Sequence, residues 1–394
     1  MSDFAGQITV AELEADPYPI YARLRRQARV AWVPAVEMWL ATGWEEALRV
    51  ASEPELFAAD MPGSPIDRSF GSPTILTCDG EPHRELRKAV EPKFRPHAVD
   101  EYIDELVTPI VDAHLDAITT AGGAELMSEY FEPISVLSLG AVLGLTELDA
   151  ATLRRWFADL ADGATNFERD ADKQRRSDAT CAEIDERLAP VLDRLESEPD
   201  DSTISHMLHA GLEPGESRPR EAIMPSLKVI LLGGMQEPGH GAGSVLWALL
   251  THPEQLAEVR DDLDGLLGPA IDEGMRWVSP IGTQGRRTTE AVSFGGVDVP
   301  AEAPIAAVIS AANRDPDRFD DPDRFDIHRP KSRLATFGFG PHFCSGHAFA
   351  RVQERIALRR LLERFGAIVL EPGATGEFSG WEFRAPRSLP VRLA

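Results

Sequence analysis

Phe337-Gly-Phe-Gly-Pro-His-Phe-Cys344-Ser-Gly-His347 sets a single cysteine among three glycines, and a helical run over 348–365 follows at once. Gly338, Gly340 and Gly346 permit tight turns of the backbone around that cysteine. The start of the following helix brings free N–H groups and the positive end of the peptide dipoles to the sulfur, an environment that favours a thiolate. A lone cysteine in a glycine-rich loop more often packs as a small buried hydrophobe, so the loop's full pattern has to decide. No second cysteine lies nearby, which argues against zinc. Cys78 and Cys181 are the only others, and an odd, low number argues against a disulfide framework.

Working outward, the chain has 394 residues and 43% hydrophobic content, enough for a large core. The formal charge of −25 repels nucleic acid and anionic membranes, and both are set aside as partners. No apolar run approaches the roughly 20 residues needed to cross a bilayer. The opening MSDFAGQITVAELEADPYP has neither a basic nor an apolar segment of a secretion signal, so a soluble, cytoplasmic protein is expected. Apolar spacing predicts helices over 101–119 and 351–365, and Arg351, Arg355 and Arg359 share one face of the latter. Breaks fall at 61–73 and 212–219, and 291–309 reads as short strands and turns around Gly295-Gly296.

The complete pattern F-G-x-G-x-H-x-C-x-G is the signature of the cytochrome P450 family, and the chain resembles that family along essentially its whole length. The resemblance implies a mainly α fold, a helical triangular prism with small β-sheets, as one domain over 1–394. It implies haem b held through an axial thiolate from Cys344, which donates electron density and promotes O–O cleavage. Phe337, Gly338 and Gly346 frame that ligand. His83 and Arg87 match the family's H-x-x-x-R, whose cations face the haem propionates, and Arg286 matches a third propionate donor. Many relatives carry a further His where this chain has Leu334, and Arg333 is a candidate replacement. Glu273 and Arg276 match the E-x-x-R pair, one helical turn apart, with Arg324 as the third, structural member.

The stretch from Pro225 to Leu250 corresponds to the family's long helix over the haem. Relatives have an acid followed by Thr there, and this chain has Gln236 followed by Glu237. Pro238 removes an N–H and should kink the helix. Gln236 and Glu237 are therefore the catalytic candidates. Glu237 is placed to relay protons if burial raises its pKa, and His240, one turn on, is a candidate partner for it.

The run Leu-Leu-Gly-Gly-Met-Gln-Glu-Pro-Gly-His-Gly, and stretches such as Gly380-Trp-Glu-Phe-Arg384, resemble the bacterial members that O-demethylate guaiacol and other lignin-derived methoxyphenols. That narrower resemblance implies an apolar pocket lined by Phe70, Leu76, Val229, Gly233, Ile281 and Phe383. Ala164 stands where a pocket Phe is expected, and Gln284 and Gly285 replace a small residue and a Thr, so a bulkier or more polar substrate is implied. The expected reaction oxidises a methoxy carbon with O2 and electrons from NAD(P)H, and the hemiacetal formed collapses to a phenol and formaldehyde. The chain shows no flavin or iron–sulfur motif, so a ferredoxin or flavin reductase must supply the electrons, and the arginine stripe is a candidate dock. Hydroxylation of another small substrate, peroxygenase chemistry and a non-catalytic haem sensor are the alternatives.

Overall fold

The computed structural model describes residues 4–119 and 122–394; the first three residues of the N-terminal stretch read above lie outside it. The structure is built on helices whose buried faces follow the sequence pattern. α1 (Gly80–Val90) leads to α2 (Pro96–Thr119). Along α2, Val99, Ile103, Val107, Val111 and Leu115 recur every fourth residue and are all buried. α3 (Ala150–Ala164) packs on α4 (Ala171–Ser197), each started by an aspartate side chain accepting backbone N–H groups.

The predicted central helix is present in two halves, α5 (Arg220–Met235) and α6 (Glu237–Thr251). Pro238 lacks the N–H that would continue the ladder, and the next N–H, of Gly239, donates sideways to Ser135 Oγ at 3.2 Å. The kink expected at Pro238 is therefore real, and it falls at Gln236. α6 is buried on all sides from Glu237 to Leu246. It packs on α7 (Leu263–Trp277) and on α8 (His347–Arg364). Among the described residues, no helix is long and apolar enough to cross a membrane.

A five-stranded sheet flanks the helices: β1 (Val30–Val33), β2 (Met38–Ala41), β3 (Phe57–Ala58), β4 (Thr283–Thr288) and β5 (Pro304–Val308), in spatial order β1-β2-β5-β4-β3. Only β2 and β5 run parallel. The expected strands in 291–309 are there, with Gly295 and Gly296 at φ 58° and 82° turning a hairpin. The break at 61–73 holds a short helix, Pro65–Phe70.

α7 carries the Glu273–Arg276 pair. Arg276 is fully buried, and all five of its N–H donors are used. It bonds both Glu273 oxygens at 2.7 and 2.8 Å and the carbonyls of Asn313, Pro322 and Arg324 at 2.7–3.0 Å. The third member expected at Arg324 is instead Arg329, whose Nε donates to Glu273 at 3.2 Å. Arg324 contributes its carbonyl and turns its guanidinium outward to Asp326, because the segment reverses direction between the two arginines. Asn313 then ties this hub to the cysteine loop. Its amide donates to Ser279 and Thr336, and its oxygen accepts the Ala335 N–H at 2.7 Å.

Candidate active site

The cysteine loop is held by its own backbone. Gly338 and Gly340 have φ of 73° and 65°, and a Cβ on Gly340 would lie 2.4 Å from the Ala51 carbonyl, so only glycine fits. Gly346 has an ordinary φ of −82° and serves as the N-cap of α8 rather than as a strained turn. The Cys344 N–H donates to Phe337 O at 2.9 Å, closing the loop. Arg87 adds a clamp, with two N–H groups donating to Phe343 O at 2.9 Å. Burial pushes the Cys344 thiol up, while the N–H groups of Gly346 and His347 and the Arg87 charge pull it down. The helix start alone thus does not prevail over desolvation. A bound cation opposite the sulfur is what shifts such a thiol fully to thiolate.

The cysteine opens onto an apolar cavity of about 390 Å³, where α5 and α6 face the cysteine loop and α8. Leu76, Ala164, Val229, Gly233, Ile281, Gln284 and Phe383 all line it, as do Phe337, Gly338, Gly346, Arg87 and Arg286. A Cβ on Gly233 would meet nothing within 4 Å, so the bare backbone there faces open space. Leu76, 41% exposed, marks an edge of the cavity open to solvent. The ring of Phe383 packs edge-on against Phe157, their centroids 5.7 Å apart.

Several expected contributors are elsewhere. Phe70 is buried in the main core and does not line the cavity; its short helix offers Pro65 and Ile66 instead. Gln236 is buried at the break between α5 and α6, away from the cavity, so of the two catalytic candidates only Glu237 reaches it. His240 does not pair with Glu237. It approaches Glu132, with Nε2 3.8 Å from a carboxylate oxygen. Arg333 lies over the Phe339 ring at 4.9 Å and does not take the place of the missing histidine at Leu334. Gln284 turns its amide oxygen to the Phe339 N–H at 3.4 Å, supporting the cysteine loop as well as lining the cavity.

Three sets of polar atoms at this site have no protein partner, the third being both carboxylate oxygens of Glu354 on α8. Arg286 is buried, its Nη2 has no hydrogen-bond partner among the described residues, and burial lowers it to about 10. His83 also has a free Nε2, and burial takes its pKa to about 4. His83 stacks on His342 at 4.0 Å, and His342 Nε2 is 3.0 Å from Asp79. His342 is the histidine of the cysteine-loop motif, and only the fold brings it beside His83. A buried guanidinium with an unused donor and a buried imidazole with an unpaired ring nitrogen are costly unless an anionic group completes them. Two propionates beside a cysteine thiolate meet that need, so the residues fit haem. The second set is Glu237. Both of its carboxylate oxygens lack partners, and burial raises it to about 8.

The arginine stripe on α8 is not a row of free cations. Arg351 pairs with Asp272, and Arg359 with Asp264 and Glu363; Arg355 is exposed.

The chain matches the family model described as Cytochrome P450 over residues 165–375. It is 31% identical to the cytochrome P450 monooxygenase PikC of Streptomyces venezuelae, covering 97% of this chain and 92% of that protein. It is 30% identical to the 6-deoxyerythronolide B hydroxylase of Saccharopolyspora erythraea, covering 98% and 99%. Among solved structures, a myxobacterial protein, CYP267B1, in complex with myristic acid superposes with a TM-score of 0.87 at 28% identity, over 98% of this chain and 99% of that one.

Proposed function

The chain belongs to the cytochrome P450 family, a haem-thiolate monooxygenase, and on that footing we propose that it oxidatively O-demethylates a small methoxylated aromatic, releasing formaldehyde. The observation that carries this reading is the shape of the wall. Gly233 leaves a bare stretch of α5 against which a flat ring can lie, and Phe383, braced by Phe157, supplies an aromatic face. The sequence run around Gly233 and Glu237 points the same way.

Haem, when bound, supplies oxygen activation, drawing two electrons from a separate reductase. The chain's own residues do the rest. Cys344 would hold the metal. Arg286, His83, Arg87 and His342 would orient the propionate edge. Val229, Ile281 and Phe383 exclude water and place the methoxy carbon. Glu237 holds a proton on a carboxyl facing the cavity and releases it there, taking the place of the acid–alcohol pair of its relatives.

A second reading is hydroxylation of a larger substrate. The relatives named above include a 6-deoxyerythronolide B hydroxylase, and Ala164 widens the cavity where a Phe was expected. Titrating the ferric protein with methoxyphenols, methoxybenzoates, steroids and macrolide cores, while following the Soret band, separates the two. A saturable low- to high-spin shift with a methoxyphenol is expected. A shift only with the larger compounds overturns O-demethylation in favour of hydroxylation.

A further inference from the structure

The charged side chains lining the cavity are unevenly distributed in kind. Its cationic or basic members are Arg87, Arg286 and His342, all committed to the cysteine loop or the propionate cluster. The acids are Glu237, Glu354 and Glu382. Once haem takes the cations, the space left for substrate has acids on its walls and no cation among the described residues.

Glu354 and Glu382 are the members that the reaction does not use; Glu354 sits on α8 against Gly241, and Glu382 is the one beside the aromatic wall. Its position is fixed by backbone. The chain turns at Gly380, with φ 96°, and runs back against Gly282, where a Cβ would lie 1.7 Å from the Trp381 carbonyl. The Gly282 N–H donates to Glu382 O at 2.9 Å, and the Arg384 N–H donates to Pro280 O at 2.8 Å. This clamp places Glu382 beside Ile281 and Phe383 on the cavity wall.

The carboxyl of Glu382 is under-satisfied. Thr283 Oγ1 is 2.9 Å from both of its oxygens, but a hydroxyl has one proton to give, whereas a carboxylate offers about four acceptor sites. No cation among the described residues pairs with it. The nearby Arg384 is occupied by the carbonyls of Gly380 and Ala15 and by Asp16. Burial, with Glu14 adding like charge, raises Glu382 to about 7. A half-buried acceptor with spare capacity, in a largely apolar cavity, is what fixes a ligand's orientation.

We infer that Glu382 is the polar anchor of the substrate, accepting a hydrogen bond from a hydroxyl or amine on an uncharged or cationic molecule, and that the cavity rejects carboxylates. This rests on the proposed O-demethylation only in naming the molecule: a methoxyphenol rather than a methoxybenzoate. The chain's net charge of −25 reinforces the discrimination against anions.

The test uses the ferric holoenzyme and azole probes that ligate haem iron whatever the natural substrate is. 4-Phenylimidazole, its 2-, 3- and 4-hydroxyphenyl analogues and its carboxyphenyl analogues are titrated by their Soret shift. At least one hydroxy isomer should bind about tenfold tighter than the parent, as a hydrogen bond to a charged acceptor does. The carboxy analogues should bind at least about tenfold weaker, because they bring a second carboxylate beside the first. Glu382→Leu should abolish the hydroxyl advantage. Should that variant fail to take up haem, Glu382→Gln, which keeps an acceptor for Thr283, should reduce the advantage about threefold and relieve the rejection of carboxylate. The inference is overturned if no hydroxy isomer is preferred, if the ratio is the same in Glu382→Gln, or if a carboxy analogue binds as well as the parent. Methoxyarenes are titrated in parallel. Silence from all of them sinks O-demethylation, while the azole ratios still decide the role of Glu382.

Discussion

The Glu273–Arg276 hub and the Glu237 wall are both buried, both charged or chargeable, and built on opposite terms. At the hub every donor of Arg276 has an acceptor, and Glu273 collects bonds from Arg276, Arg329 and the Asp326 N–H. At the wall both oxygens of Glu237 have none. A saturated polar network fixes one arrangement of the chain. An unsaturated one keeps its capacity for a visitor and costs stability until the visitor arrives. The difference separates the part of this molecule that holds the cysteine loop in place from the part that does chemistry.

Breaking the hub should have the largest effect. Arg276→Ala leaves Glu273 buried beside a single remaining cation and the carbonyls of Asn313 and Pro322 without donors, a loss of about 3–5 kcal/mol. We expect little or no folded protein, and no thiolate signature in the ferrous–CO spectrum. If Arg276→Ala binds haem normally, the hub does not organise the loop.

Changing the wall should spare the fold and cost turnover. Glu237→Gln should lower coupled turnover by about a hundredfold, the lower range for a lost proton donor, with more reducing equivalents lost as peroxide. The sign with pH follows from burial. The Glu237 carboxyl carries its proton below about 8 and loses it above, so coupled turnover in the native enzyme should fall as pH rises through that value. The variant should lack that limb. The same raised pKa makes the native fold bind a proton that the unfolded chain has already lost. Stability should therefore decline as pH climbs from the ordinary carboxylate range toward about 8, and less so in the variant. A limb that persists in Glu237→Gln assigns it to another group.

Arg286 sharpens the comparison because it belongs to neither extreme: it is buried and half-partnered, with Nη1 donating to Gly285 O at 2.6 Å. Arg286→Leu should weaken haem binding about tenfold or more. It should leave the haem-free protein at least as stable, since it removes an uncompensated buried cation. Lower stability of the haem-free variant would mean that Arg286 is structural. The smallest effect expected is at the surface. Arg351 and Arg359 already have acidic partners, so reversing Arg355 alone should slow reduction by only a few-fold in stopped-flow, with substrate binding unaltered. An unchanged rate removes the stripe as a dock.

The hub and the cysteine loop were legible in the sequence because their geometry is local. Positions one turn apart on a helix share a side, and glycines beside a cysteine announce a turn. What was misplaced depended on longer-range facts. Whether Gln236 or Glu237 meets the cavity is set by where the break before Pro238 falls, and that depends on Ser135, about a hundred residues earlier, capturing the Gly239 N–H. Arg324 and Arg329 lie in the same irregular segment, and only its reversal decides which guanidinium returns to Glu273. Phe70 and Phe383 looked alike as aromatic candidates, yet only the latter is carried to the cavity, by its bridge to Ile281. Glu382 went unnoticed for the same reason: its position rests on a contact with Gly282 that no local pattern records.

Whether this cavity presents a methoxy carbon for oxidation is decided by the formaldehyde released per NAD(P)H consumed, with a competent reductase and the methoxyphenol that gives the largest Soret shift. The account predicts a ratio approaching one for the native enzyme and a marked fall for Glu237→Gln at unchanged substrate affinity. Consumption of NAD(P)H without formaldehyde, or a product that keeps its methoxy group and gains a hydroxyl, would contradict it.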